Sequence, residues 1–118
     1  MTIDLSTDVS VIVLGVMQDG GLPHAGCRCP RCVEAFAHPE RAGRAACLAL
    51  VDARMEPAGV WLIDATPDIR WQLNDLAGVL GPHPQRPQRL RHPDGIFLTH
   101  GHLGHIGGLP QFGPEVMA

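Results

Sequence analysis

The chain has 118 residues, 45% of them hydrophobic and 18% charged, with a formal net charge of -3 at pH 7. That balance fits a folded domain with one core and argues against a disordered segment. The charges are scattered with no basic stripe, so nucleic acid is not an expected partner, and with 4% aromatic residues and no tyrosine the core should be mostly aliphatic.

Met1–Asp8 lacks the basic start and apolar region of a signal peptide, and no stretch reaches the roughly 18 apolar residues that span a bilayer. A cytoplasmic protein with no membrane partner is expected. Val9 to Val16 is β-branched and ends at the turn-forming Gln18-Asp-Gly-Gly21, the pattern of a buried strand. Pro30 starts a short helix through Val33, Ala35 and Phe36, which stops near His38-Pro39 because a residue before proline disfavours helix.

The apolar runs Ala45–Ala53 and Gly59–Ala65, separated by Arg54-Met-Glu-Pro-Ala58, read as a hairpin. Thr66-Pro67 follows as N-cap and first helical residue, with Ile69, Leu73, Leu76 and Leu80 along one face and Gly81-Pro82 as the stop. Gly81–Pro93 reads as a surface loop and Gly95–Thr99 as a returning strand. The order of elements predicts a single α/β domain over residues 1–118, with a mixed sheet and covering helices.

Two clusters carry chemistry. Cys27, Cys29 and Cys32, spaced C-x-C-x-x-C, lie too close in sequence to pair readily as disulfides and can converge on one ion, as in structural Cys₃His zinc sites. His24, His38 and Cys47 are local candidates for a fourth ligand, although Cys47 more naturally faces the core beside Ala45, Ala46 and Leu48.

The second cluster is His100, His102 and His105. Two residues apart in an extended segment, His100 and His102 present imidazoles to one side, and His105 follows after a turn. Three imidazoles suit Zn²⁺, with iron or manganese as other occupants. The remaining histidines, His24, His38, His83 and His92, lie in loop sequence and read as solvated surface.

Thr99-His-Gly-His-Leu-Gly-His-Ile-Gly-Gly108 resembles the metallo-β-lactamase superfamily signature Thr-His-x-His-x-Asp-His-x-Gly-Gly. Leu62-Ile-Asp-Ala65 is similar to that superfamily's strand ending in aspartate, and Asp94 to the acidic residue before the histidine-bearing strand. Gly20-Gly-Leu-Pro-His-Ala-Gly-Cys-Arg-Cys-Pro-Arg-Cys32 resembles the N-terminal loop of a subgroup containing pyrroloquinoline-quinone biosynthesis protein B and the cyclic phosphodiesterase of phosphonate catabolism. The resemblance implies the N-terminal half of an αββα sandwich. It also implies a first metal on His100 and His102, a second on His105, and a structural zinc on the cysteines completed by a histidine much further along.

One position departs from the signature: Gly104 stands where the aspartate is expected, which weakens a second metal site and makes a mononuclear site or altered chemistry plausible. The thirteen residues after His105 offer only Glu115 as a further ligand. A fragment is therefore expected, inactive by itself and prone to association, with a homodimer as one way to supply absent ligands. The leading function is a metal-dependent hydrolase of a small-molecule phosphodiester or related ester, acting through a metal-bound hydroxide. The alternatives are a role in pyrroloquinoline-quinone maturation and a non-catalytic zinc-stabilised module.

Overall fold

A computed structural model of the chain describes residues 8–83, 85–89 and 91–117. The segment Met1–Thr7, two positions of the Gly81–Pro93 loop and Ala118 lie outside them.

Four strands form one mixed sheet in the order β1 (Val9–Gly15), β2 (Cys47–Asp52), β3 (Gly59–Ile63) and β4 (Gly95–Phe97). The first two pairings are antiparallel and the last is parallel. Period-two alternation sorts the side chains into two faces. Ile12, Ala49, Leu62 and Ile96 stand in one cross-strand row, on the face where Val51 and Val60 are fully buried.

That face is covered by α2 (Ile69–Leu80), which buries Ile69, Leu73 and Leu76 against it. Their spacing keeps them on one side of a 3.6-residue helix. Gly81, at φ 79°, ends α2 by donating its N–H to Ala77 O, a backbone conformation that glycine adopts without strain.

The opposite face corrects the reading of the first strand. Val9–Gly15 is not buried on both sides: it is an edge strand, and Val11 and Val13 are 59% and 60% exposed. An antiparallel edge needs only one covered face, and apolar residues on its other side look like core in sequence.

Thr66 corrects the start of α2. The helical N-cap is Asp68, two residues later, because the Thr66 hydroxyl is already engaged as an acceptor from Asp68 N and a donor to Gln72 Oε1. Gln72, fully buried, passes the connection on by donating through Nε2 to Ala45 O at 2.8 Å and Leu14 O at 3.3 Å. Helix, first strand and the approach to β2 are thus joined through one amide.

Gln72→Leu is expected to destabilise the fold by about 2 kcal/mol, since it takes the amide donor from two buried carbonyls and the acceptor from the buried Thr66 hydroxyl. Chemical denaturation of the two proteins measures the difference. No change in midpoint would show that the network contributes nothing.

Candidate functional site

The cysteine loop leads into α1 (Pro30–Ala37), with Cys29 as its N-cap and Pro30 at its first position. The three sulfurs lie within 4.8 Å of one another. Tetrahedral zinc, with Zn–S bonds near 2.3 Å, wants sulfurs about 3.8 Å apart, so a small closure of the loop suffices. Backbone N–H groups of His24 and Cys29 already donate to Cys32 Sγ and Cys27 Sγ.

These donors divide the thiols. The Cys32 N–H, followed by hydrogen bonds with the Cys27 and Cys32 side chains, lowers the Cys29 pKa to about 7. Cys32 receives the His24 N–H, which pulls it down, yet burial and the neighbouring sulfurs outweigh that pull and leave it raised. A loop that stabilises one thiolate beside two more sulfurs is suited to a soft or borderline cation.

Two of the suggested fourth ligands are removed by position. His38 follows the last residue of eight-residue α1, a rise of about 13 Å from Cys29, and faces Glu40. Cys47 lies in the core with Sγ 3.5 Å from Asp64 O, where burial, then the Asp64 charge, pushes its thiol up to about 12. His24 is retained beside the cluster through its backbone contact with Cys32.

The solvated-surface reading holds for the exposed His38 and His92 but not for His24 or His83, which are both half-buried. The His24 ring packs against Gly20, and His83 Nδ1 accepts the Gln85 N–H. In metal-free protein, iodoacetamide should label Cys29 with a midpoint near pH 7 and spare Cys47 until unfolding. Peptide mass spectrometry reads both; equal labelling of Cys47 in the native state would contradict its place in the core.

The histidine segment begins one step beyond β4. The strand ends at Phe97, two residues earlier than the sequence suggests, because a side chain takes over the ladder. Asp64 N donates to Phe97 O at 2.8 Å, and the next rung, Thr99 N, bonds to the Asp64 carboxylate at 2.8 Å instead of to backbone. Asp64 adopts φ 71°, a region that non-glycine residues rarely occupy and that concentrates at functional sites.

His100 and His102 are therefore not on a strand. They lie in an exposed loop, with His102 as N-cap of the one-turn helix α3 (Leu103–Ile106), which carries His105. Backbone bonds Ala65 N to His105 O and Gly108 N to Ala65 O clip this turn to the residue after Asp64. Gly108 permits the approach, since a Cβ there would lie 2.1 Å from Thr66 O.

Asp64 organises the imidazoles. Its Oδ2 lies 2.6 Å from His105 Nδ1, and the Thr99 hydroxyl lies 2.8 Å from the same oxygen and 3.0 Å from His100 Nδ1. Burial pushes the Asp64 carboxyl up, but the N–H of Thr99 and the hydrogen bonds from His105 and the Thr99 hydroxyl outweigh it and hold the pKa below the usual carboxylate range. An ionised carboxylate only accepts, so Thr99 must donate to Asp64 and accept from His100. Nδ1 is then the donor in both His100 and His105, which leaves Nε2 as the nitrogen on the side away from these partners, the arrangement common behind metal-bound histidines.

The three rings meet closely, with centroids 4.7 Å apart for His100 and His102 and 3.9 Å apart for His100 and His105. They touch as rings without converging nitrogens. Among the described residues, only the three cysteines bring three ligand atoms within 4.8 Å of one another.

Two residues of the site were not singled out as such by sequence. Asp64 was visible only as a likeness in Leu62-Ile-Asp-Ala65. Asp19 was visible only as a turn residue, yet its Oδ1 lies 3.4 Å from His105 Nε2 and its Oδ2 accepts the Gly104 N–H at 3.2 Å. Asp94, in contrast, is structural: it pairs with Val60 through both its backbone N–H and its carboxylate, starting β4 against β3.

Residues 50–115 match the sequence profile of the Metallo-beta-lactamase superfamily. The chain is 36% identical over 99 residues to coenzyme PQQ synthesis protein B of Methylobacterium radiotolerans, covering 84% of this chain and 32% of that protein. It is 39% identical over 101 residues to the protein of that name from Rhodopseudomonas palustris strain TIE-1, covering 84% of this chain and 30% of the relative. The chain thus spans about a third of the length of these relatives.

Among solved structures, Zn(2+)-bound PqqB from Methylobacterium extorquens superposes with a TM-score of 0.63 at 32% identity, covering 84% of this chain and 32% of that one. A diphosphatase from the PhnP family gives a TM-score of 0.60 at 26% identity, with 92% and 38% covered. The four-stranded mixed sheet and its helices are a part of that fold. On sequence profile and architecture together, the chain belongs to the metallo-β-lactamase superfamily.

Proposed function

We propose that the chain carries the metal-binding part of a metallohydrolase acting on a small-molecule phosphodiester or related ester, with His100, His102 and His105 as metal ligands and Cys27, Cys29 and Cys32 holding a structural zinc. One observation carries this reading: Asp64, directly and through Thr99, fixes the tautomers of His105 and His100 so that both Nε2 atoms are available. When bound, a divalent ion would supply Lewis acidity and an acidified water. The chain's own residues orient the imidazoles, and the exposed loop at His100 and His102 leaves that side open to substrate. The diphosphatase of the PhnP family among the structural relatives supports the phosphoester class.

A second reading, a part in pyrroloquinoline-quinone maturation, is favoured by the 32–39% identities to coenzyme PQQ synthesis proteins B. The full protein should hydrolyse bis(p-nitrophenyl) phosphate in the presence of zinc or manganese, and the His100→Ala, His102→Ala variant should not. No turnover with either ion, together with specific retention of redox-active iron, would favour the second reading over the first.

A further inference from the structure

The superfamily signature places a carboxylate at the position that Gly104 occupies here, and the space in front of Gly104 is already filled. A Cβ at residue 104 would lie 2.4 Å from Asp19 Cγ, 2.5 Å from Asp19 Cα and 2.6 Å from Asp19 Cβ. Asp19 of the Gln18–Gly21 turn occupies the volume that a side chain at 104 would need. What it brings is a carboxylate, with Oδ2 bound by the Gly104 N–H at 3.2 Å and Oδ1 3.4 Å from His105 Nε2.

We infer that Asp19 supplies the carboxylate ligand missing at position 104, so that His105 and Asp19 together form the second metal position of this site. The inference rests on the reading of the histidines as metal ligands given above. Its geometry is specific. A separation of 3.4 Å is long for a charge-assisted hydrogen bond, which closes to about 2.7–2.9 Å. It is close to the roughly 3.3 Å that separates two ligands of a tetrahedral ion bonded at about 2.0–2.1 Å.

His105 Nδ1 is held by Asp64, so the nitrogen facing Asp19 is Nε2, the one that Asp64 leaves to a metal. Asp19 Oδ2 is meanwhile anchored to the start of α3 by the Gly104 N–H, which aims Oδ1 without using it. A glycine at 104 and an aspartate at 19 are therefore two halves of one substitution: the carboxylate arrives from a different loop, and the side chain that would obstruct it is absent.

The test is zinc titration of the full chain against a chromophoric chelator, with ions per chain counted by plasma mass spectrometry, for wild type, Asp19→Asn and Gly104→Asp. Asp19→Asn keeps an oxygen to accept the Gly104 N–H while removing the charge. It should weaken the weakest zinc site by at least on the order of the 10- to 100-fold that loss of a partner behind a ligand already costs, with an unchanged melting temperature of the metal-free protein. Gly104→Asp, which restores the signature, should lower zinc content, because its Cβ collides with the Asp19 backbone.

Wild-type affinity in Asp19→Asn, or a gain of zinc in Gly104→Asp, would overturn the inference and leave the histidine site standing. Absence from wild type of any zinc beyond that held by the cysteines would overturn both.

Discussion

Asp64→Asn is expected to weaken metal binding at the histidine site by on the order of 10- to 100-fold, the range seen when a partner behind a metal-bound histidine is lost. The asparagine has the size of the aspartate, so its oxygen can still accept the Thr99 N–H that defines the end of β4. Its amide can then offer only N–H groups to the second acceptor position, where His105 Nδ1 and the Thr99 hydroxyl now meet Oδ2. Facing a donor, His105 must turn Nδ1 into the acceptor and move its proton to Nε2, which removes the lone pair a metal needs. The Thr99 hydroxyl loses its 2.8 Å acceptor and keeps only the retained oxygen at 3.0 Å, which loosens its hold on His100 Nδ1.

Asp64→Ala should match the loss of affinity and add a stability cost of about 1–3 kcal/mol, since the Thr99 N–H is left without its carboxylate. Isothermal titration with zinc separates the two variants from wild type. Affinity of Asp64→Asn within twofold of wild type would show that the tautomers are set by something else.

Stripping zinc from the cysteine site should lower the melting temperature on the order of 10 °C or more. An ion that binds only the folded state at a thousandfold excess over its Kd adds about 4 kcal/mol, and each kcal/mol shifts the midpoint of a domain near this size by several degrees. The segment from Val16 to Cys29 has no regular element and is tied down by isolated bridges at Met17 and Leu22. The sulfur cluster is what anchors its far end to α1.

Cys32→Ser, at a position 2% exposed, should reproduce the shift and abolish the response to chelator. Calorimetry with and without chelator reads this directly, and identical midpoints would mean that the sulfurs hold no structural ion.

Where local chemistry decides the structure, the sequence was readable. Proline at the first position of α1, the alternating apolar runs of the β2–β3 hairpin and the heptad-like spacing of Ile69, Leu73 and Leu76 each reflect a few neighbouring residues, and each lies where the spacing put it. The parts that were not readable depend on contacts across the chain. β1 is apolar on both sides, so composition could not say that one face is exposed. The early end of β4 follows from a carboxylate 35 residues away capturing Thr99 N.

The same applies to the site. C-x-C-x-x-C spacing reveals the sulfur cluster because the ligands are local. The relation between Asp19 and Gly104 spans 85 residues, and no periodicity or motif in the chain links them. Read alone, Gly104 looks like a lost ligand, and only its neighbour across the fold shows what occupies that volume.

The most direct test of the histidine site is anomalous diffraction at the zinc edge from zinc-loaded crystals of the full chain. Zinc is predicted among Cys27, Cys29 and Cys32 and, separately from it, at the histidines, within about 2.1 Å of Nε2 of His100 or His105. A single peak at the sulfurs, with His100, His102 and His105 still packed ring against ring, would contradict it.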